Sequence, residues 1–90
     1  MNPKLSDYPA LIPVADVLTG AGLTWGIRID RNYVWLAAIV GGQTRESRRL
    51  LRSHKPNRKQ VTGMVEWAQQ QARVAEHARA AALADLAEPV

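Results

Sequence analysis

A chain of 90 residues with 12 lysines and arginines, 8 acids, no cysteine and a net charge of +4 is the size of one small domain and carries a basic bias. The missing cysteine excludes disulfides, thiolate zinc sites and a cysteine nucleophile, and His54 and His77 stand too far apart in sequence to hold a metal alone. No apolar run reaches the roughly 20 residues of a membrane-spanning helix, and the first residues lack a stretch of the signal-peptide kind. The expectations are a cytoplasmic, membrane-free protein with no cofactor and no metal.

Residues 1–8 are polar and predict a flexible arm, followed by a single α+β domain over residues 9–90. A short helix is expected over about 10–19, with Pro13 in its first turn, where a missing N–H is harmless. Leu11, Val14, Val17 and Leu18 share one face, and Gly20 and Gly22 supply the stop. At Leu23 the period changes from helical to alternating. Leu23, Trp25, Ile27 and Ile29 interleave with Thr24, Gly26, Arg28 and Asp30, which predicts a strand over about 23–30 with one buried face. Turn residues Asp30-Arg31-Asn32 lead to a second strand over about 33–40. That strand is apolar on both sides and so predicts a central position covered above and below.

Gly41-Gly42 closes it, and residues 44–53 admit two readings. As a helix they would bury only Leu50 and Leu51. As a third strand they would pair back through the glycine turn, which the need to pair a central strand on both sides favours. A helix-turn-helix over 44–67, bent at Lys55-Pro56-Asn57, is a further arrangement of the same residues. Asn57 then caps a long helix over about 57–87, with Val61, Val65, Ala68, Ala72, Ala75, Ala82 and Leu86 as an apolar stripe. Such a helix is about 45 Å long, whereas a compact domain of this size is roughly 30 Å across. It must overhang the domain, bend, or fray after about His77. An overhanging stripe of Ala68, Ala72, Ala75 and Ala82 would suit a homodimer interface; a frayed alanine-rich tail is the other outcome.

The charge is concentrated. Arg45, Arg48, Arg49, Arg52, Lys55, Arg58 and Lys59 fall within one short segment whose only acid is Glu46, a net +6, so the remainder of the chain sums to −2. Five of the seven are arginines, suited to bidentate phosphate contacts. If these side chains share a face, their partner is nucleic acid or an acidic protein surface; the plain alternative is a solvated charge run. Aromatic residues could join them. With an even-numbered hairpin turn, Tyr33 and Trp35 lie beside Arg28 on the sheet face opposite Trp25, Ile27 and Ile29, where they could stack on bases; with an odd-numbered turn Trp35 joins Trp25 in the core. Packing in the core is the commoner fate of a tryptophan. Trp67, one helical turn from Met64, is expected in the core or a dimer interface.

Catalytic patterns are absent from the sequence. Gly41-Gly42-Gln43-Thr44 lacks the lysine of a phosphate loop, and the acids are scattered with no paired set, so a binding module is expected rather than an enzyme. Two strands, a third candidate strand and a helix opening with Val61 to Trp67 resemble, over residues 24–72, the sheet-plus-helix arm-binding domains of phage integrases. The small size, hairpin and long terminal helix also resemble phage or mobile-element inhibitors of the anti-CRISPR kind. The first resemblance implies a nucleic-acid partner, the second an acidic or nucleic-acid-handling protein.

Overall fold

Two short turns set the register of the sheet in the computed structural model, which describes residues 4–87. In the first, the Asp30 carboxylate accepts the N–H groups of Asn32 at 2.9 Å and Tyr33 at 2.7 Å. It thereby joins β1 (Thr24–Ile29) to β2 (Tyr33–Val40) with Arg28 opposite Trp35 and Ile27 opposite Leu36. In the second, Gly41 and Gly42 hold φ of +58° and +80°, the left-handed pair that a two-residue hairpin turn requires and that glycine adopts without steric cost. That turn brings β3 (Gln43–Glu46) alongside β2, with Val40 opposite Gln43 and Ala37 opposite Glu46. The segment after the glycine turn is therefore strand rather than helix over Gln43–Glu46, and β2 is central.

The third strand is interrupted. Its continuation β4 (Leu50–Leu51) pairs Leu50 with Val34 and Leu51 with Tyr33, so Ser47, Arg48 and Arg49 stand against Leu36 and Trp35 alone. This one-residue excess is a β-bulge, which bends the strand and reverses the facing of everything after it. Ser47 stays in the ladder, donating its N–H to the Leu36 carbonyl at 2.8 Å and accepting the Leu36 N–H on Oγ at 2.9 Å. In an unbroken strand Leu50 would share the face of Thr44 and Glu46. With the bulge it turns to the opposite face and is 3% exposed, while its neighbour Leu51 is 46% exposed.

Both helices pack on that opposite face. Helix α1 (Ile12–Gly20) follows a 3-10 turn over Pro9–Leu11. It ends where Gly22, at φ +73°, donates to the Thr19 carbonyl and Leu23 donates to that of Leu18, the paired bonds of a glycine-terminated helix. Helix α2 (Arg58–Ala87) begins at a reciprocal cap. The Asn57 N–H donates to Gln60 Oε1 at 3.0 Å, and the Gln60 N–H donates to Asn57 Oδ1 at 2.8 Å. The core joins Leu11, Val14 and Leu18 to Val34, Leu36, Ala38 and Val40 of β2, with Leu50, Met64 and Ala68 closing it.

Three expectations change. Residues 5–8 are not a loose arm: Leu5–Asp7 form a 3-10 turn, and Leu5 and Tyr8 pack against the core; residues 1–3 lie outside those described. The central strand is covered by helices on one face only. Ala68 is fully buried within the chain because it faces α1 and the sheet, so it is no part of a dimer surface. Of the outcomes open to the long helix over about 57–87, α2 takes the overhang. It runs unbroken to Ala87, and residues 76–86 are all exposed, giving the molecule extents of 57 × 28 × 17 Å. Leu83 and Leu86 on this projecting part are 60% and 84% exposed. No described helix is long and apolar enough to cross a membrane.

Candidate nucleic-acid interface

The bulge decides where the basic segment points. Arg45 lies opposite Ala38 and so is directed to the helix-covered side of the sheet. Arg48 stands on the same side, where it, Lys59, Gln60, Gly63, Met64 and Trp67 line a groove of about 270 Å³. Arg49 goes the other way. Its guanidinium carbon sits 4.2 Å from the Trp35 ring centroid, and its Nη1 is 3.6 Å from Asp30 Oδ2. Arg52 is tethered to the first hairpin turn: Nη1 donates to the Asp30 carbonyl at 2.8 Å and Nε to the Tyr8 hydroxyl at 3.3 Å. Lys55 lines a second cavity, of about 290 Å³, with Tyr8, Leu11, Leu50, Arg52 and His54, and Arg58 is the first residue of α2. The seven cations therefore do not share one face. They straddle the sheet edge formed by β3, the bulge and β4: neighbours in a strand face opposite sides, and the extra residue puts Arg48 on the helix-covered side and Arg49 on the open one.

The proposed stacking residues divide as well. The even-numbered turn holds, so Arg28, Tyr33 and Trp35 share the open face, away from Trp25, Ile27 and Ile29. Trp35 nevertheless offers no free ring, for it is 7% exposed. Arg49 covers one face of the indole, and Nε1 donates to Glu46 Oε2. A guanidinium over an indole is itself a favourable contact, and it holds Arg49 in place. Tyr33 and Arg28 remain exposed. On α2, Ala72 is half-buried beside Val17, Gly20 and Ala21 of the α1 end, and Ala75 is half-buried against the core. Of the alanines expected at a dimer interface, only Ala82 stands clear of the domain.

Asp30 is the internal counter-charge. Its pKa is lowered from the ordinary carboxylate value, first by the N–H groups of Asn32 and Tyr33 that it accepts and then by Arg49 and Arg52 nearby. A carboxylate with a depressed folded-state pKa contributes stability that is present above its unfolded pKa of about 3.9 and disappears as the pH falls through the lower folded value. The amide proton shifts of Asn32 and Tyr33, followed by NMR, are therefore expected to stay constant from neutral pH down to about pH 4 and to move only below it. A transition centred at pH 5 or above would show that these bonds do not favour the charged form. Among the described residues, Asp30 with Arg49 is the ion pair that the basic segment makes.

Gly63 and its groove carry a weaker signal in the sequence. Glycine inside a helix costs about 1 kcal/mol relative to alanine, yet a Cβ built on Gly63 meets no atom within 4 Å. Neither packing nor backbone conformation demands it. Its position one turn from both Lys59 and Trp67 was legible, but the approach of Arg48 from the sheet was not. Among the described residues no cluster of histidines and acids could hold a metal ion. Comparison with protein-family models, curated proteins and solved structures gives no match.

Proposed function

We propose that this chain is a non-enzymatic binding module that grips nucleic acid with modest base specificity, acting in the cytoplasm. The observation that carries this reading is the subset of the seven cations that stands together, the exposed Arg45, Arg48 and Lys59 on the helix-covered side of one sheet edge, while among the described residues the acid paired within the basic segment, Asp30, is on Arg49. Like charges gathered this closely repel one another, and a polyanion relieves that repulsion while releasing its own counterions. Contacts to phosphates position a protein on nucleic acid without reading bases, hence the modest specificity.

Fluorescence polarisation with random single- and double-stranded DNA and RNA tests the reading. Binding is expected at about 50 mM salt, and four phosphate contacts to a single strand would weaken it about 50-fold by about 200 mM. No binding to any of these at low salt removes the reading. A second one is favoured by the exposed Leu83 and Leu86: an inhibitor or adaptor of the phage or mobile-element kind, docking on an acidic or nucleic-acid-handling protein or pairing through α2. It calls for failure to bind nucleic acid, together with a stoichiometric partner or a doubled mass that survives nuclease treatment.

A further inference from the structure

Lys59, Gly63 and Trp67 follow one another at four-residue spacing and so form a single row along the first turns of α2. The row has a notch where Gly63 lacks a side chain, and Arg48 at the bulge closes the notch from the sheet. We infer that this groove seats one nucleotide of a single strand, its phosphate between Arg48 and Lys59 and its base against Trp67. The inference rests on the nucleic-acid reading above and adds to it a place, a mode and a strandedness.

Three features converge on this occupant. No carboxylate lines the groove, whose charged members are the exposed Arg48 and Lys59, so it complements an anion. The Gln60 side-chain oxygen is turned to the Asn57 N–H at the cap, and the side-chain amide N–H groups are donors too. The half-buried Trp67 supplies an aromatic wall beside the two cations, the pairing by which single strands are held: backbone on positive charge, base on a ring. At about 270 Å³ the groove is below the roughly 300–1,000 Å³ of sites that enclose a whole small ligand. It fits one unit of an extended chain. Gly63 then has a reason that folding does not supply: it lets the strand approach the helix backbone.

The test uses the full chain, a fluorescein-labelled oligo-thymidylate of about 12 nucleotides and a duplex of the same length. Wild type, Gly63→Ala and Gly63→Leu are compared by polarisation and by thermal melting. Gly63→Ala is expected to melt at or above the wild-type temperature, since alanine favours the helix and its methyl meets open space, while binding the oligo-thymidylate about fivefold more weakly. Gly63→Leu fills the notch, and about 20-fold weaker binding is expected, since base stacking on Trp67 is lost as well. Wild-type affinity in both variants overturns the groove while leaving the nucleic-acid reading standing. No binding by wild type at about 50 mM salt removes both. Tighter binding of the duplex, reduced by the Gly63 variants, overturns the single strand as occupant, and a lowered melting temperature for Gly63→Ala overturns the claim that folding does not need the glycine.

Discussion

Replacing Arg48 and Lys59 together by glutamine is expected to weaken nucleic-acid binding at low salt by at least about a hundredfold. A hydrogen-bonded contact to a charged group contributes about 1.5–3 kcal/mol, and two of them lost together amount to two or more factors of ten in affinity. The salt dependence should change in step, the slope of log affinity on log salt flattening by about 0.7 for each single-strand phosphate contact removed. Both side chains are exposed, so the fold should be indifferent to the change. The matched pair Arg49→Gln and Arg52→Gln should cost much less. Arg49 is engaged with Asp30 and Trp35, and Arg52 with the Asp30 carbonyl and Tyr8, so a phosphate gains from them only after those contacts yield. Equal losses in the two double variants would show that the cations act as an undifferentiated cloud and that the bulge does not sort them.

Leu50→Ala is expected to destabilise the protein by about 2–5 kcal/mol, the range for removing a buried leucine side chain and leaving a cavity. Leu51→Ala should stay within about 0.5 kcal/mol of wild type, as surface changes away from special features do. In a domain of this length 1 kcal/mol moves the melting temperature by roughly 4–8 °C. The first variant should therefore melt at least about 8 °C lower, and the second near wild type. Adjacent leucines differ this much because Leu50 meets Val34 on the helix-covered side while Leu51 lies beside Tyr33 on the open one. Similar losses from the two would mean that the bulge is absent in solution and that Leu50 is not committed to the core.

Much of the fold was legible because its signals are local. A period-two pattern from Leu23 to Ile29, the turn residues at Asp30 and the glycine pair at Gly41-Gly42 define the hairpins over a few residues each. Asn57 announces the start of α2 in the same way, and the structure adds Gln60, three positions on, as its reciprocal partner. The third strand was harder to read because its apolar pattern is short, and what makes it a strand is the need of β2 for a second partner. The candidate site was legible only as composition. Counting charges locates the basic segment in the chain but says nothing about which way each side chain points.

From the amino-acid order alone follow the α+β class, the places of the two hairpin turns, the capped long helix and the concentration of positive charge between Arg45 and Lys59, whereas the register that puts Arg28 opposite Trp35 came from the structure. Tertiary structure decided the division of that charge across a sheet edge, the cover of Arg49 over Trp35, the burial of Ala68 and Leu50, and the approach of Arg48 to the Gly63 notch. The difference is one of range. Periodicity, turns and caps are settled by neighbours in the chain. The facing of residues after Ser47 depends on one extra residue against β2, where hydrogen bonds to Leu36 hold Ser47 eleven positions away.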